Sequence, residues 1–187
     1  MTELLDAKQQ REESLLSAFL EMVRSPDGDF GVIDRLAVAS ADLEKLALLP
    51  SHTFGYAYAQ HMLQNNLKPL QIKPSTNDYE FLGAHITETH DIWHVIIDAD
   101  TSITGEIKLE AFYISQMRFS RFWLALITKN LLKTVVYDIE RSTEYMDAIS
   151  QGWILAKHAQ PLFGIDWKLL WEKPLNEIRN SLNINIS

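Results

Sequence analysis

Residues 90–106 read His90-Asp91-Ile92-Trp93-His94-Val95-Ile96-Ile97-Asp98-Ala99-Asp100-Thr101-Ser102-Ile103-Thr104-Gly105-Glu106. Positions four apart on a helix lie one above the other, so His90 and His94 project from one face. At about 100° per residue, Asp91 falls at the edge of that face. The stretch from Asp98 to Gly105 is rich in turn formers. A helix, a reversal and the start of a second helix therefore follow in order.

Helical periodicity continues outward in both directions. Upstream, residues 79–97 form the first helix of the pair, capped near Asn77. Downstream, residues 106–132 read as a strongly apolar, aromatic helix, and Val135-Val136-Tyr137 reads as a strand-like fragment. One such fragment does not make a sheet. Residues 13–23 place Leu15, Leu16, Phe19, Leu20 and Val23 at helical spacing. Residues 34–47 read as helical up to Pro50, and a short helix runs from Phe54 to Met62 before Asn65 and Asn66. Residues 67–76, with Pro69 and Pro74, read as an extended loop. Ser142 caps residues 143–160, Asp166 caps a short helix with Trp167 and Trp171, and Pro174 opens a last helix. The expected fold is all-α, a multi-helix domain of about seven or eight helices over residues 1–187.

Composition narrows the function. The chain has 187 residues, 47% of them hydrophobic and 22% charged, which is ordinary globular composition. Its 17 Lys and Arg against 25 Asp and Glu give a net charge of −8. Such an acidic domain is a poor partner for a phosphate backbone, so no nucleic acid is expected. With no cysteine, disulfides, thiolate metal sites and a cysteine nucleophile are excluded. The acidic opening MTELLDAKQQREESLL fits neither a signal peptide nor a transit segment. No apolar run approaches the roughly 18 residues of a membrane span. The expected location is cytoplasmic, with contact to the inner membrane that is peripheral.

The chemistry concentrates at residues 90–106. Two imidazoles and a carboxylate on one helical arc resemble a divalent metal site. On one continuous helix Glu106 would sit roughly 18 Å from His94, too far to share an ion. If the chain reverses at 98–105, Glu106 returns beside the two histidines. That set lacks sulfur and leaves open positions, as working sites do. The plain alternative is a surface HxxxH pair, with Glu106 favoured at a helix N-terminus by the dipole; spacing alone leaves both open. Asp91 replaces the glutamate of HExxH, so the metalloprotease motif is absent. Ile103 and Leu109 occupy the glycine and glutamate positions of an EF-hand loop, which excludes that motif too.

His90-Asp91-x-x-His94 followed by eleven residues and Glu106 resembles the HDxxH(x)11E signature of the coenzyme Q biosynthesis protein 4 family. Leu49-Pro50 with Thr53-Phe54-Gly55-x-Ala57-Tyr58-Ala59 is similar to an upstream segment of that family. Gly152-Trp153, Ala159-x-Pro161-Leu162-Phe163-Gly164-x-Asp166-Trp167 and Trp171-Glu172-Lys173-Pro174-Leu175 are similar to its C-terminal pattern, closing in Arg179 and Leu182. His85 departs from the family's lead-in, and nothing is carried over there.

The resemblance implies a helical protein of ubiquinone biosynthesis. It implies a divalent metal, usually zinc, on His90, Asp91, His94 and Glu106. It also implies a polyprenyl lipid or prenylated quinone precursor as ligand, and other quinone-biosynthesis enzymes as partners. The implied activity is oxidative decarboxylation and hydroxylation at ring carbon 1 of a polyprenylated hydroxybenzoate, which makes the same four residues the candidate catalytic group. The alternative is a non-catalytic lipid-binding scaffold that organises an enzyme complex, and a homodimer suits that role. Zinc has no redox chemistry, whereas two histidines and a carboxylate also fit non-haem iron; magnesium stays open as well. For the lipid, the helix after Glu106 offers Phe112, Phe119, Phe122, Trp123, Leu126 and Ile127, with Trp93, Tyr113 and Trp153 as further aromatic walls. Such stripes are more often plain core. Arg118 and Arg121 are the candidates for a phosphate or anionic head group, or are solvated charges.

Overall fold

A computed structural model describes residues 41–69, 78–117 and 121–186, with side chains from 84 in the second stretch and from 124 in the third. Seven α-helices follow in order among the described residues: α1 (Leu43–Leu46), α2 (Phe54–Gln64), α3 (Asp78–Ile97), α4 (Ile103–Met117), α5 (Arg121–Tyr137), α6 (Ser142–His158) and α7 (Leu175–Ser181). Short 3₁₀ turns occupy Ile139–Arg141 and Trp167–Leu170. The all-α expectation holds. The expected helix at residues 13–23, the start of the 34–47 stretch, residues 70–76 of the expected loop, Arg118 and Phe119 lie outside the described residues.

Local chemistry explains the boundaries near the signature. Thr53 Oγ1 accepts from the Tyr56 N–H at 3.3 Å and caps α2. Helix α3 ends at Asp98, which takes a left-handed φ of 55°. The Arg179 side chain then donates to the exposed ends of α3, to Val95 O at 2.8 Å and Ile96 O at 3.0 Å. Asp100 Oδ1 accepts from the Ser102 N–H at 3.0 Å and closes the turn. Ser102 Oγ then accepts from Gly105 N at 3.2 Å, so Ser102 caps α4. Gly105 is required at that point: a Cβ there would stand 2.0 Å from the Asp100 carbonyl oxygen.

Three expectations need correction. The 106–132 stretch is two helices: α4 ends at Met117 and α5 begins at Arg121. One rod of that length would be roughly 40 Å long, with apolar groups on more sides than one neighbour can cover. Folding it in two lays α5 against α4 and buries more of them. Val135-Val136-Tyr137 is the last turn of α5, so β-branched residues that favour strands here follow the helix already under way. Ser142 is the first helical residue, with Arg141 in the cap position and no side-chain cap bond.

The core is aromatic. Trp93 of α3 is stacked on Tyr113 of α4 at 4.4 Å, with Phe112 at 5.6 Å and Phe163 at 4.8 Å meeting it edge-on. A second cluster stacks Phe54 of α2 on Trp171 at 4.7 Å. It ties the C-terminal segment to α2, where the Gly55 N–H donates to Trp171 O at 2.8 Å. Between them these clusters fix α3, α4 and α2 around the signature residues.

Candidate metal centre

The α3–α4 reversal brings three of the four signature side chains together. One donor atom each from His90, His94 and Glu106 lies within 4.8 Å of the others. His94 Nε2 is 3.2 Å from His90 Nε2 and 3.2 Å from Glu106 Oε1. His90 Nε2 is 3.6 Å from Glu106 Oε2. Ligands held about 2.0–2.1 Å from an ion stand about 2.8–3.4 Å apart in octahedral or tetrahedral arrangements. Two of the three spacings fall in that range, and the third, to the other Glu106 oxygen, lies just beyond it.

The His94 ring is oriented for this. Its Nδ1 lies 3.2 Å from Ala99 O. A carbonyl oxygen only accepts, so Nδ1 carries the hydrogen, and Nε2 is the nitrogen turned to the cluster: it donates to Glu106 when it holds a proton and offers a lone pair to a cation when it does not. That nitrogen faces a carboxylate oxygen, an arrangement that favours a positive charge between them. His94 is 1% exposed, while His90 and Glu106 are 31% and 37% exposed. The cluster therefore has one buried wall and one open side.

Electrostatics follow from the same packing. Burial, then the neighbouring His94 imidazole, hold the His90 imidazole below its ordinary value. Burial pushes the Glu106 carboxyl up, but the hydrogen bond to His94 and the two imidazole charges outweigh it, and the net direction is down. Both shifts favour the deprotonated forms that bind a metal.

Asp91 points elsewhere. Its oxygens fall outside the three-residue group, and Oδ1 lies 3.7 Å from His61 Nε2 on α2. The His61 ring is stacked on the His94 ring at 5.5 Å and 24°. A cleft of about 710 Å³ opens on this side, lined by His61 and His94 together with Lys108 and Arg179.

The lipid-contact candidates scatter. Phe112 is wholly buried in the core against Trp93. Trp93 and Tyr113 are buried with it, and Trp153 is partly exposed. Phe119 and Arg118 lie outside the described residues, as do the side chains of Arg121, Phe122 and Trp123.

Sequence reasoning passed over Glu110, one helical turn beyond Glu106. It is 7% exposed, and Asn130 Nδ2 of α5 donates to both its oxygens, at 3.3 and 3.1 Å. Burial drives its carboxyl up to about 7, Asn130 opposes this, and the Glu106 charge adds to it. Its ordinary value is 4.5, so folding favours the protonated form. This contribution is full below pH 4.5 and is lost as pH rises through about 7. Glu110→Gln keeps an acceptor for Asn130 and removes the charge. It should stabilise the protein by about 1–2 kcal/mol at pH 8, allowing for water near the carboxylate, and by almost nothing at pH 4.5. Urea unfolding at the two pH values measures the difference.

By fold and site the chain is an all-α protein whose α3–α4 reversal carries a His-His-Glu group that could hold a metal ion. Residues 14–187 match the family model for the coenzyme Q (ubiquinone) biosynthesis protein Coq4, and the chain belongs to that family. It is similar to the mitochondrial ubiquinone biosynthesis protein COQ4 homologue of Anopheles gambiae, 26% identical over 163 residues, covering 81% of this chain and 54% of that protein. The mitochondrial homologue of Danio rerio is 22% identical over 183 residues, covering 92% and 65%. The chain spans about half the length of the first curated relatives it matches, 54% and 44%. Among solved structures, a candidate ubiquinone biosynthesis protein from Nostoc punctiforme PCC 73102 superposes with a TM-score of 0.76 at 28% identity, covering 92% of this chain and 82% of that one.

Proposed function

We propose that this chain is a metal-dependent protein of ubiquinone biosynthesis that takes a polyprenylated hydroxybenzoate and acts on its ring. The observation that carries the reading is the meeting of His90 Nε2, His94 Nε2 and the two oxygens of the Glu106 carboxylate at 3.2–3.6 Å, with the His94 tautomer set by Ala99 O. The residues fit a divalent ion with three protein ligands and open positions. When bound, such an ion supplies Lewis acidity and, if it is iron, redox chemistry. Family membership supports the pathway; the substrate is the part proposed. Replacing the ring carboxylate, released as carbon dioxide, by a hydroxyl is a two-electron oxidation; with water supplying the hydroxyl, dioxygen as oxidant would leave as hydrogen peroxide. The buried wall of His94 would keep water from one side, and the open side at His90 and Glu106 would receive the ring.

The second reading is a scaffold that carries the lipid to partner enzymes at a membrane. A specific feature favours it. Helix α5 exposes Leu124, Leu132, Val135 and Val136, which fall within about 120° of one another around its axis. Lys129 and Lys133 lie beyond one edge of that arc, and α5 holds no acidic residue in a chain of net charge −8. Such a face suits the surface of an anionic membrane, or a second copy of the chain. No helix among the described residues is long and apolar enough to cross a membrane. The relatives are named mitochondrial, and the proposed place here is the face of an inner membrane.

Native mass spectrometry of protein purified without added metal reads both ligands in one sample. A stoichiometric divalent metal with a polyprenyl mass is the expected result. Iron with turnover of a prenylated hydroxybenzoate favours the enzyme; bound lipid without turnover under any metal favours the scaffold. Neither metal nor lipid on a folded sample overturns both.

A further inference from the structure

We infer that Asp91 is a positioning residue for this centre rather than one of its metal ligands: it acts through His61, whose ring braces His94. The inference rests on the metal reading above and refines its ligand set.

Helix geometry makes the first part of the case. His90 and His94 share a face of α3, and Asp91 is turned about 100° from His90 around the axis. That turn carries its carboxylate away from α4, which supplies Glu106, and toward α2, which supplies His61. The distances agree with the turn. The donor atoms of His90, His94 and Glu106 form one group within 4.8 Å, and no Asp91 oxygen belongs to it. Asp91 Oδ1 instead stands 3.7 Å from His61 Nε2. Among the described residues that nitrogen has no hydrogen-bond partner, so the Asp91 carboxylate is the charged group it faces.

Packing supplies the second part. The side chains of His61 and Asp91 are 11% and 17% exposed, so the pair is largely screened from water and holds its geometry. His61 lies flat on the His94 ring, 5.5 Å between centroids and 24° between planes. His94 is thus held on two sides before any ion arrives: its Nδ1 edge by Ala99 O and its face by His61. Groups that orient a metal-binding imidazole in this way typically change affinity by about 10–100-fold when lost, much less than a ligand does. Three protein ligands also leave more of the coordination sphere open than four, which suits a centre that receives another molecule.

Cobalt(II) is the probe, because its visible bands report coordination number and geometry. Wild type, Asp91→Asn, His61→Phe, Asp91→Asn/His61→Phe and Glu106→Gln are titrated with cobalt(II), with circular dichroism as the folding control. Asp91→Asn keeps the side chain's shape, and His61→Phe keeps a flat ring on His94 while removing the contact to Asp91.

The expected result has four parts. Wild type takes one cobalt per chain. Asp91→Asn and His61→Phe each keep that stoichiometry and the wild-type band pattern, with affinity down about 10–100-fold. The double variant is no weaker than the weaker single, because both remove one interaction. Glu106→Gln changes the bands and weakens binding further. A band pattern in Asp91→Asn altered as in Glu106→Gln, or losses that add in the double variant, would overturn the inference and make Asp91 a ligand. Failure of wild type to bind cobalt would instead overturn the metal reading on which it rests.

Discussion

His94→Ala should abolish stoichiometric metal binding while leaving a folded helical protein. The site has three converging donor atoms, and this change removes the one that touches both others, His90 Nε2 and Glu106 Oε1 at 3.2 Å each. Structural zinc sites with four ligands bind with about 10–16 kcal/mol, so one ligand accounts for about 3 kcal/mol or more, a loss of at least about 10²-fold. The two remaining donors would also lose their alignment. Truncation empties buried space and leaves the Ala99 carbonyl without the His94 N–H, costing about 2–3 kcal/mol of stability. For a chain of this size that lowers the melting temperature by about 4–12 °C. Elemental analysis after gel filtration, with a thermal scan, checks both halves. Metal retained at full stoichiometry would remove His94 from the ligand set. If the centre is catalytic, turnover disappears with the metal, and a folded, metal-free variant with unchanged turnover would leave only the scaffold reading.

Gly152→Ala should be severely damaging, although the residue lies in the middle of a long helix. In an exposed helix that change is favourable by about 1 kcal/mol, because alanine is the better helix former. Here the sign reverses. An added Cβ would lie 2.0 Å from the Lys108 carbonyl oxygen, 2.9 Å from its carbonyl carbon and 3.2 Å from Ala111 Cβ. The obstacle is the α4 backbone, which no rotamer change can move. Helices α4 and α6 must separate, at a loss of about 3 kcal/mol or more. The melting temperature should fall by about 6–12 °C, or the protein should fail to accumulate. Because α4 carries Glu106, any variant that does fold should also bind metal more weakly, although residue 152 lies on another helix. A melting temperature at or above the wild-type value would show that α4 and α6 do not pack this closely.

These two outcomes divide along the line between local and long-range information. The candidate triad was legible in the sequence because its geometry is largely local. His90 and His94 are joined by one turn of helix, and the turn chemistry of Asp98, Asp100, Ser102 and Gly105 reverses the chain within a few residues. The helical content was legible for the same reason, since periodicity and caps are properties of neighbours in sequence. The break between α4 and α5 was not: residues 106–132 carry helical periodicity throughout, and only the pairing of the two halves, seen in the Glu110–Asn130 contact, explains why the rod is folded.

By itself the sequence determined that the protein is helical, that it has no thiolate chemistry, and that His90 and His94 share a helical face; the return of Glu106 it left conditional on a reversal at 98–105. Tertiary structure alone decided what surrounds them. It set Asp91 against His61, thirty residues away on α2. It placed Arg179 on the carbonyls that end α3, and it buried Glu110 under Asn130. The reason is physical. Spacing along a helix fixes which side chains share a face, but the rotation of that helix about its axis, and hence what each face meets, is fixed by packing against elements distant in sequence.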